Sequence, residues 1–386
     1  MAVAPAREEY RRLLETLPFQ PIADTPTVRY YTNWKVYQEL FDLEYSSTED
    51  ALPGFLSLPE APRVYVGTSV RLEGHIPPSV EVEAIDPANL GDGLQPWSLI
   101  KVANKMQAYH AWRWNLGVRV TVDPGAEFGR LVVVSLGGDG YTGHHILFDV
   151  GEGASGEIIY VDYAGSSRAL KTVVVETRVG PRAKVKLVTL ALHKREHAVY
   201  LLKATEIGEQ AEVDQRFLVS GGRMTRLQED NLVKGRLAKL ESRASNIARP
   251  STATDFILSA LHYGPESEGV VRSRGVVIGD GYLAQRGVAM LGESARWASS
   301  EVESYVFLLS EKGKGYAVPV LEIHTGEVTK AGHSAAVASL GEDILFYLRS
   351  RGLRDEEIVS LVMEGIGRFS GVLEELEIPF PELVKF

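Results

Sequence analysis

The side chains that could carry chemistry in this chain are imidazoles and carboxylates, because its 386 residues contain no cysteine. That absence removes thiolate nucleophiles, thiolate metal ligands and disulfides together. Among the nine histidines, His333 lies in Thr329-Lys-Ala-Gly-His333-Ser, where glycine-punctuated β-type sequence gives way to a helical period. A neutral imidazole can ligate iron near neutral pH, and it can also donate a hydrogen bond that fixes a turn. The residue types alone leave both roles open.

The element that follows His333 is predicted to be a helix. Ser339 and Glu342 have the spacing of a capping box, in which each side chain binds an unpaired backbone donor at a helix start. Gly352 stands where a left-handed residue would end the helix. Apolar residues at three-to-four spacing mark one face of this helix and one face of a second helix after it: Ile344, Leu345 and Leu348, then Ile358, Leu361, Val362, Ile366 and Phe369.

Upstream of His333 the chain repeats itself. A turn of the form apolar-x-x-x-Ala begins at Val122, Val150, Val179 and Ile207, at spacings of 28, 29 and 28 residues, and again 84 residues later at Leu291. Strand-like runs separate these turns, so we expect a solenoid in which each coil buries its apolar face against its neighbours. A parallel β-helix fits best. A β-sandwich or barrel with long hairpins is the alternative.

The regions on either side of the repeats are predicted to be helical or mixed. Tyr10, Leu13 and Leu14 lie on one face of a short helix near the N-terminus, residues 63–72 suggest a hairpin, and residues 98–114 suggest a further helix. We therefore divide the chain into a helical or mixed region at 1–116, a β-helix core at 117–335 and a helical subdomain at 336–386. Residues 222–250, rich in Lys, Arg and Glu, fit either a coil with a charged edge or a helical insertion.

Composition excludes several classes of partner. The formal net charge of -10, without a long basic run, argues against a nucleic-acid or anionic-membrane surface. No apolar run approaches the roughly 18 residues of a membrane span, and the N-terminus lacks a secretory pattern. We expect a soluble, cytoplasmic protein.

Familiar catalytic motifs are missing or in the wrong context. Residues 138–143 have dinucleotide-binding spacing, but a strand follows them instead of the required helix. No phosphate-binding loop of the Gly-x4-Gly-Lys type occurs, so any ATP must be hydrolysed by a partner. His144 and His145 are adjacent on a strand and should point to opposite faces, so only one could reach a metal. A polysaccharide-cleaving β-helix would need paired carboxylates; Asp149 and Asp162 are candidates, but no sequence feature aligns them.

Three stretches resemble one family. Ser267-Glu-Gly269-Val-Val-Arg272-Ser-Arg274-Gly275, Tyr316-Ala-Val-Pro319-Val-Leu-Glu322-Ile, and the His333 segment with Leu345-Phe-Tyr-Leu-Arg-Ser-Arg351-Gly are similar to the SufB/SufD family of iron-sulfur cluster assembly proteins. The resemblance covers roughly residues 104–369, and the stretches occur in the family's order.

The resemblance implies a right-handed parallel β-helix with helical N-terminal and C-terminal regions, consistent with the repeats. It implies a non-enzymatic accessory or scaffold subunit of the SUF complex, pairing with a SufB-like paralogue and an ABC-type ATPase. Metal or cluster ligands, shared with the partner, would be His333 and Glu322, with His324 as a further candidate. The ATPase would contact one group of residues in the helical tail: Phe346, Tyr347, Leu348, Arg349, Arg351 and Gly352. The tail helices could also pack against each other and cap the open end of the solenoid.

The chain departs from the family at the sulfur ligands. Gly313 and Ala331 occupy positions where SufB and many SufD sequences respectively carry cysteine, and Ser334 replaces the glutamate that follows the histidine in SufB. We therefore expect no stably bound cofactor in the chain alone, and only transient iron or an iron-sulfur cluster in the complex. The alternatives are a SufB-like homodimeric scaffold with non-cysteine ligands and a β-helix polysaccharide enzyme.

Overall fold

A computed structural model describes residues 3–20, 31–165, 169–339 and 342–385. The helices are α1 (Val3–Thr16), α2 (Trp34–Gln38), α3 (Lys105–Arg113), α4 (Glu342–Ser350), α5 (Asp355–Arg368), α6 (Val372–Glu375) and α7 (Phe380–Lys385). The strands are β1 (Arg63–Val66), β2 (Val70–Glu73), β3 (Val80–Ile85), β4 (Leu116–Val122), β5 (Glu127–Leu136), β6 (Gly140–Val150), β7 (Ser155–Ala164), β8 (Ala169–Val179), β9 (Lys184–His193), β10 (His197–Ile207), β11 (Glu212–Ser220), β12 (Met224–Val233), β13 (Lys239–Ala248), β14 (Ala253–His262), β15 (Glu268–Val277), β16 (Tyr282–Leu291), β17 (Ala298–Leu308), β18 (Lys314–Ile323) and β19 (Val328–Ser339).

From β4 onward, successive strands alternate between two sheets. Sheet A has the order β18-β16-β14-β12-β10-β8-β6-β4-β3, and sheet B has the order β19-β17-β15-β13-β11-β9-β7-β5-β1-β2. From β4 onward each strand pairs in parallel with the strand two further along the chain, so each coil gives one strand to each sheet. The result is a β-solenoid of about eight turns between residues 116 and 339. The predicted β-helix is confirmed, and the sandwich or barrel alternative is wrong.

The repeated turn is one corner of the solenoid. Ala154, Ala183 and Ala211 are fully buried there, where a larger side chain would collide with the next coil. The residue before each alanine has a left-handed backbone, with φ of 67° at Gly153 and 58° at Arg182. Its N–H donates to a carbonyl of the following coil, as from Arg182 to Glu209 at 2.8 Å. The repeat seen in the sequence is therefore a stacked, hydrogen-bonded corner.

The interior of the solenoid is packed with apolar side chains. Valine, leucine, isoleucine and phenylalanine from alternate positions of both sheets form one continuous cluster, and most members are less than 5% exposed. Burying each such side chain contributes roughly 1.5–3 kcal/mol. The charged stretch at 222–250, left open by the sequence, is an ordinary coil formed by β12 and β13.

The two ends of the solenoid differ. At the N-terminal end β3 pairs antiparallel with β4, and β1 with β2. The residues from Arg63 to Glu73 thus form the predicted hairpin. At the C-terminal end β18 and β19 are the last strands of their sheets, and no described strand pairs with their outer edges. That end of the solenoid is open.

Helices cover both walls. The predicted N-terminal helices are present as α1 and α3, but α3 begins at Lys105 and residues 98–104 are not helical. Tyr37 of α2 and Met106 and Tyr109 of α3 pack against the outer face of sheet A. α5 lies on β13 and β15, and α6 lies on β9 and β11, on the outer face of sheet B. The interpretation of the C-terminal helices as a cap over the open end is therefore wrong, because their apolar faces are used against a sheet wall. Among the described residues, no helix is long and apolar enough to cross a membrane.

Candidate functional site

The open end presents two neighbouring strand edges. In β17 buried and half-buried residues alternate as expected for a stacked coil, whereas no residue of β18 or β19 is fully buried. The side chains of the last coil lack a further coil to pack on, and its outer backbone N–H and C=O groups lack a strand partner among the described residues. Such an edge is a ready template for pairing with another chain.

His333 lies within β19, so the sequence interpretation of a turn at this residue is wrong. It is the register partner of Val302, whose side chain is fully buried in the solenoid interior. In-register neighbours in parallel strands point to the same side of a sheet. The imidazole of His333 therefore faces the interior of the solenoid at its open end, where it is exposed because no coil follows.

Glu322 faces the other way. Its register partner is Met290, and the neighbours of Met290 on both sides, Ala289 and Leu291, are buried in the interior. Glu322 thus points outward from sheet A, where Oε2 lies 3.7 Å from Nε2 of His324. The structure brings Glu322 and His324 together, and Glu322 faces the outer side of sheet A whereas His333 faces the interior.

The donor set at the open end is therefore sparse. Among the described residues, no three His, Cys, Asp or Glu side chains are grouped so that they could hold a metal ion. The interior face of β19 carries the imidazole of His333. The residues on either side of it on the same face are Ala331 and Ala335, which have small side chains. Any further ligand for a metal or cluster at this point would have to come from outside the described part of the chain.

The three positions that differ from the family have distinct surroundings. A Cβ at Gly313 would lie 2.8 Å from Cγ1 of Val277, so a cysteine there would require Val277 to move. Ala331 shares the face of His333, and a thiolate at 331 would stand beside the imidazole. Ser334 points outward and accepts a long hydrogen bond of 3.3 Å from the hydroxyl of Tyr305.

α4 is the most exposed of the C-terminal helices. Leu345 and Leu348 are half-buried, while Ile344 is 53% exposed, so the predicted apolar face is narrower than the sequence indicated. Phe346 is 74% exposed and Tyr347 is 54% exposed. Large apolar side chains this accessible on a helix suggest a surface for a partner.

The C-terminal end of α4 is built as predicted. Gly352 has φ of +91°, its N–H donates to Arg349, and the N–H of Leu353 donates to Leu348. These two bonds define a Schellman motif, which only glycine enters without strain. The predicted capping box of Ser339 and Glu342 spans residues 340–341, which lie outside the described residues.

Arg349 of α4 and Arg351, just after its end, have intramolecular partners. Arg349 binds both carboxylate oxygens of Asp355, at 2.7 and 2.9 Å, and so joins α4 to α5. The guanidinium of Arg351 lies over the ring of Tyr347, 5.2 Å from its centre. Between α4, α5 and the turn after β17 lies a groove of about 530 Å³ whose apolar lining includes Leu309, Leu345, Ile358 and Val359.

The carboxylates considered for polysaccharide cleavage do not form a pair. Asp149 faces outward from sheet A, where it binds Arg178. Asp162 lies in the interior on sheet B, where it contacts Nζ of Lys171 at 2.6 Å and Nε2 of His193 at 2.9 Å. All three side chains of this second group are buried, so substrate cannot reach them.

The buried group around Asp162 was not recognised in the sequence. Burial alone would raise the pKa of the Asp162 carboxyl, but Lys171 and His193 outweigh burial and the pKa lies below its usual value. Burial lowers the pKa of His193 despite its carboxylate partner. Three ionisable residues on the successive strands β7, β8 and β9 were the available signal. Only the fold shows that they meet, because Asp162 and His193 are two register positions apart on neighbouring strands of sheet B and Lys171 contacts Asp162 from sheet A.

His144 and His145 point to opposite faces, as predicted. His144 bonds Oγ of Ser135 at 3.0 Å in the interior, and His145 bonds Glu176 at 2.8 Å outside sheet A. Both imidazoles are buried and already hydrogen-bonded, and they do not share a ligand position. They belong to the packing of the solenoid wall.

The fold and the candidate site together define a β-solenoid with an open, histidine-bearing end and a helical tail on one wall. Residues 134–366 match the family model described as "SUF system FeS cluster assembly, SufBD core domain". The matched segment covers more than half of the chain and includes β18, β19 and α4. The chain belongs to the SufBD family, whose members are generally non-catalytic assembly or scaffold proteins.

Curated relatives agree with this family. The chain is 36% identical over 132 residues to the iron-sulfur cluster assembly protein SufD of Bacillus subtilis, a match covering 34% of this chain and 30% of that protein. It is 27% identical over 201 residues to a SufBD family protein of Mycobacterium tuberculosis, covering 52% and 23%. It is 24% identical over 289 residues to one from Staphylococcus aureus, covering 74% and 57%. Each match spans less than two thirds of the relative's length.

Proposed function

We propose that this chain is an accessory, SufD-type subunit of a cytoplasmic iron-sulfur cluster assembly complex, in which it pairs with a SufB-like paralogue and an ABC-type ATPase. The observation that carries the proposal is the open end, where β18 and β19 have no outer strand partner among the described residues and β19 carries an inward-facing histidine, in a chain without cysteine. A subunit of this kind contributes strand edges for pairing and one imidazole ligand, and a partner must supply the sulfur ligands.

The paralogue would join at β18 and β19. Their free backbone groups can form main-chain hydrogen bonds with the terminal strands of a second solenoid, as in other cases of strand addition. Ile323 and Val337, 46% and 45% exposed at this end, would become buried in the pair. The contact would enclose His333 between the two interiors.

Iron or a nascent cluster would bind at this contact between the two subunits. His333 would donate one imidazole nitrogen, and thiolates of the paralogue would supply the sulfur ligands that the chain lacks. Glu322, with His324, faces the outer side of the same end. It would serve as an additional acidic ligand or entry site for iron on that side, separate from His333.

The ATPase would bind α4 through Phe346, Tyr347, Leu348, Arg349, Arg351 and Gly352, within the proposed subdomain at 336–386. The exposed aromatic rings and the adjacent groove support this role, because aromatic and arginine anchors dominate many helix-in-groove contacts. Gly352 and Arg349 would act mainly by fixing the end of the helix, since both already have structural partners.

The test is co-purification from the native host with a tag on this chain. The proposal expects a SufB-like paralogue and an ATP-binding cassette protein in stable stoichiometry with it. Recovery of the chain only with itself, carrying iron and sulfide, would instead support the second candidate, a homodimeric SufB-like scaffold. The unpaired edges favour that candidate too, because two identical open ends could pair about a two-fold axis.

A polysaccharide-cleaving enzyme is not supported. Such enzymes need two carboxylates that flank the scissile bond, and Asp149 and Asp162 lie on different sheets and on opposite sides of the wall.

A further inference from the structure

One arginine of the Arg272-Ser-Arg274 stretch is held between two aromatic rings that belong to different parts of the fold. The guanidinium carbon of Arg274, on β15, lies 4.3 Å from the ring centre of Tyr305 on β17 and 4.7 Å from that of Phe369 at the end of α5. Glu303 binds the same guanidinium at 3.0 Å. The side chain is only 22% exposed, so these contacts are largely shielded from water.

The end of α5 is fixed to the sheet next to this arginine. Oγ of Ser245 donates to the carbonyl of Ile366 at 2.7 Å and accepts from the N–H of Ser370 at 3.0 Å. Ser245 is the register partner of Arg274 on the neighbouring strand. Phe369, between the two anchored residues, is therefore held over Arg274.

On its other side, Arg274 is connected through Tyr305 to the open end of the solenoid. Tyr305 is the register partner of Arg274, and its hydroxyl donates to Oγ of Ser334 on β19, the residue after His333. At the opposite end of α5, Asp355 is bound by Arg349 of α4. Side-chain contacts thus run from α4 along α5 to Phe369, Arg274, Tyr305 and the segment of β19 that carries His333.

We propose that Arg274 is a positioning residue that couples the C-terminal helices to the edge strand β19. The functional meaning of this coupling rests on the proposed function, in which α4 binds the ATPase and β19 joins the paralogue. A shift of α5 that moves Phe369 changes the sandwich around Arg274, and Tyr305 then transmits the change to Ser334 and the adjacent His333. Because these residues are in direct contact, the coupling between α5 and β19 can be measured.

The test measures amide hydrogen exchange in the full chain without partners. We expect Phe369→Ala to speed exchange at residues 328–339 by about three- to tenfold, the factor expected from losing one or two cation–π contacts. Arg274→Gln should speed exchange at these residues by a similar factor. Arg274→Lys keeps a cation between the rings, so it should retain most of the wild-type protection from exchange.

Two further variants separate coupling from general loosening. Arg243→Gln removes an outward arginine on the adjacent strand that binds Glu241, and it should leave exchange in β19 unchanged. Tyr305→Phe keeps the ring and removes the hydroxyl, so in that background Phe369→Ala should affect β19 less than in the wild type. Unchanged exchange in β19 in Phe369→Ala, or an equal effect of Arg243→Gln and Arg274→Gln, would overturn the proposal.

The same measurement with the ABC-type ATPase present distinguishes this inference from the proposed function. If the ATPase binds, ATP should alter exchange at 328–339 in the wild type and not in Arg274→Gln, while binding itself persists. An ATPase that does not bind the chain would contradict the proposed function and leave the exchange result for the isolated chain standing. An ATP effect on β19 that is identical in Arg274→Gln would overturn the role of Arg274.

Discussion

His333 is the register partner of Val302, yet Val302 is fully buried and His333 is exposed. The two side chains face the same interior from neighbouring coils, and they differ only because one coil has a successor and the other does not. A second solenoid placed on the open end would give His333 the surroundings that Val302 already has. In the proposed complex, pairing and metal ligation would therefore use the same surface.

A charged side chain at the open end should leave the stability of the free chain nearly unchanged and should weaken its pairing with the paralogue. Val337, on β19, is 45% exposed, so Val337→Lys should change the free energy of unfolding by no more than about 0.5 kcal/mol. Burying the ammonium at an interface should weaken binding to the paralogue at least tenfold, roughly 1.4 kcal/mol. Analytical ultracentrifugation of the mixed subunits measures this.

Leu72→Lys is the matched control for the open end. Leu72 lies on β2, the opposite terminal strand of sheet B, and is 53% exposed. It should leave pairing unaffected. Equal weakening by both substitutions would mean that charge, and not the position on β19, controls association.

The exposed ring of α4 should be an energetic anchor for the ATPase. Phe346→Ala should cost about 2 kcal/mol of binding free energy, roughly a thirtyfold higher Kd, because interface aromatics often dominate binding. Its ring is 74% exposed, so the Tm of the free chain should not fall. Calorimetric titration with the ATPase gives the Kd, and unchanged affinity would argue against docking at α4.

Buried His262 should make stability fall on acidification. Burial lowers its pKa from 6.5 to about 4, while its ring bonds Ser267 at 2.8 Å. The unfolded chain therefore binds a proton between pH 6.5 and 4 that the folded chain excludes. Stability is fully present above pH 6.5 and is lost toward pH 4, by about 2 kcal/mol at pH 5 from this residue.

Urea unfolding at pH 7 and pH 5 measures the contribution of His262. His262→Gln should reduce the difference in unfolding free energy between the two pH values. His324→Gln, at a side chain 53% exposed, should leave the difference as in the wild type. If His262→Gln loses as much unfolding free energy between pH 7 and pH 5 as the wild type, His262 is not the source of the acid sensitivity.

Asp255 joins the N-terminal region to the wall of sheet A. Its fully buried carboxylate binds Arg226 at 2.5 Å, Arg286 at 2.7 Å and the hydroxyl of Thr32 at 2.5 Å. Burial alone would raise the pKa of Asp255, but the two arginines outweigh burial and the pKa lies below its usual value. Asp255→Asn should therefore destabilise the chain by about 3–5 kcal/mol, because two cations lose their buried counter-charge.

Asp149→Asn is the comparison for Asp255. Asp149 binds Arg178, whose side chain is 45% exposed, so this loss should cost no more than about 1 kcal/mol. Chemical denaturation of the two variants gives both values. Similar costs at the two sites would show that the cluster around Asp255 is weaker than its burial implies.

The sequence predicted the solenoid because its periodicity is local. The corner alanines, such as Ala154 and Ala183, recur at intervals that one coil length fixes, and each reports the same steric demand. The helix end at Gly352 was predictable for the same reason, since a left-handed C-terminal residue is a local requirement.

The geometry of the candidate site depended on register, which is not local. Glu322 and His333 are 11 positions apart in the sequence, but the strands that carry them belong to different sheets and face opposite ways. The hydrogen-bonded turn considered for His333 is replaced by a strand, because this segment pairs with β17. The sandwich of Arg274 between Tyr305 and Phe369 joins residues up to 95 positions apart, and no spacing rule points to it.

The most direct measurement is the iron and acid-labile sulfide content of the assembled complex with wild-type and His333→Ala chains, and with His75→Ala, at an exposed histidine between β2 and β3, as control. We expect complexes of identical composition and stability, a severalfold loss of cluster in His333→Ala, and wild-type content in His75→Ala. Wild-type cluster content in a correctly assembled His333→Ala complex would contradict this expectation.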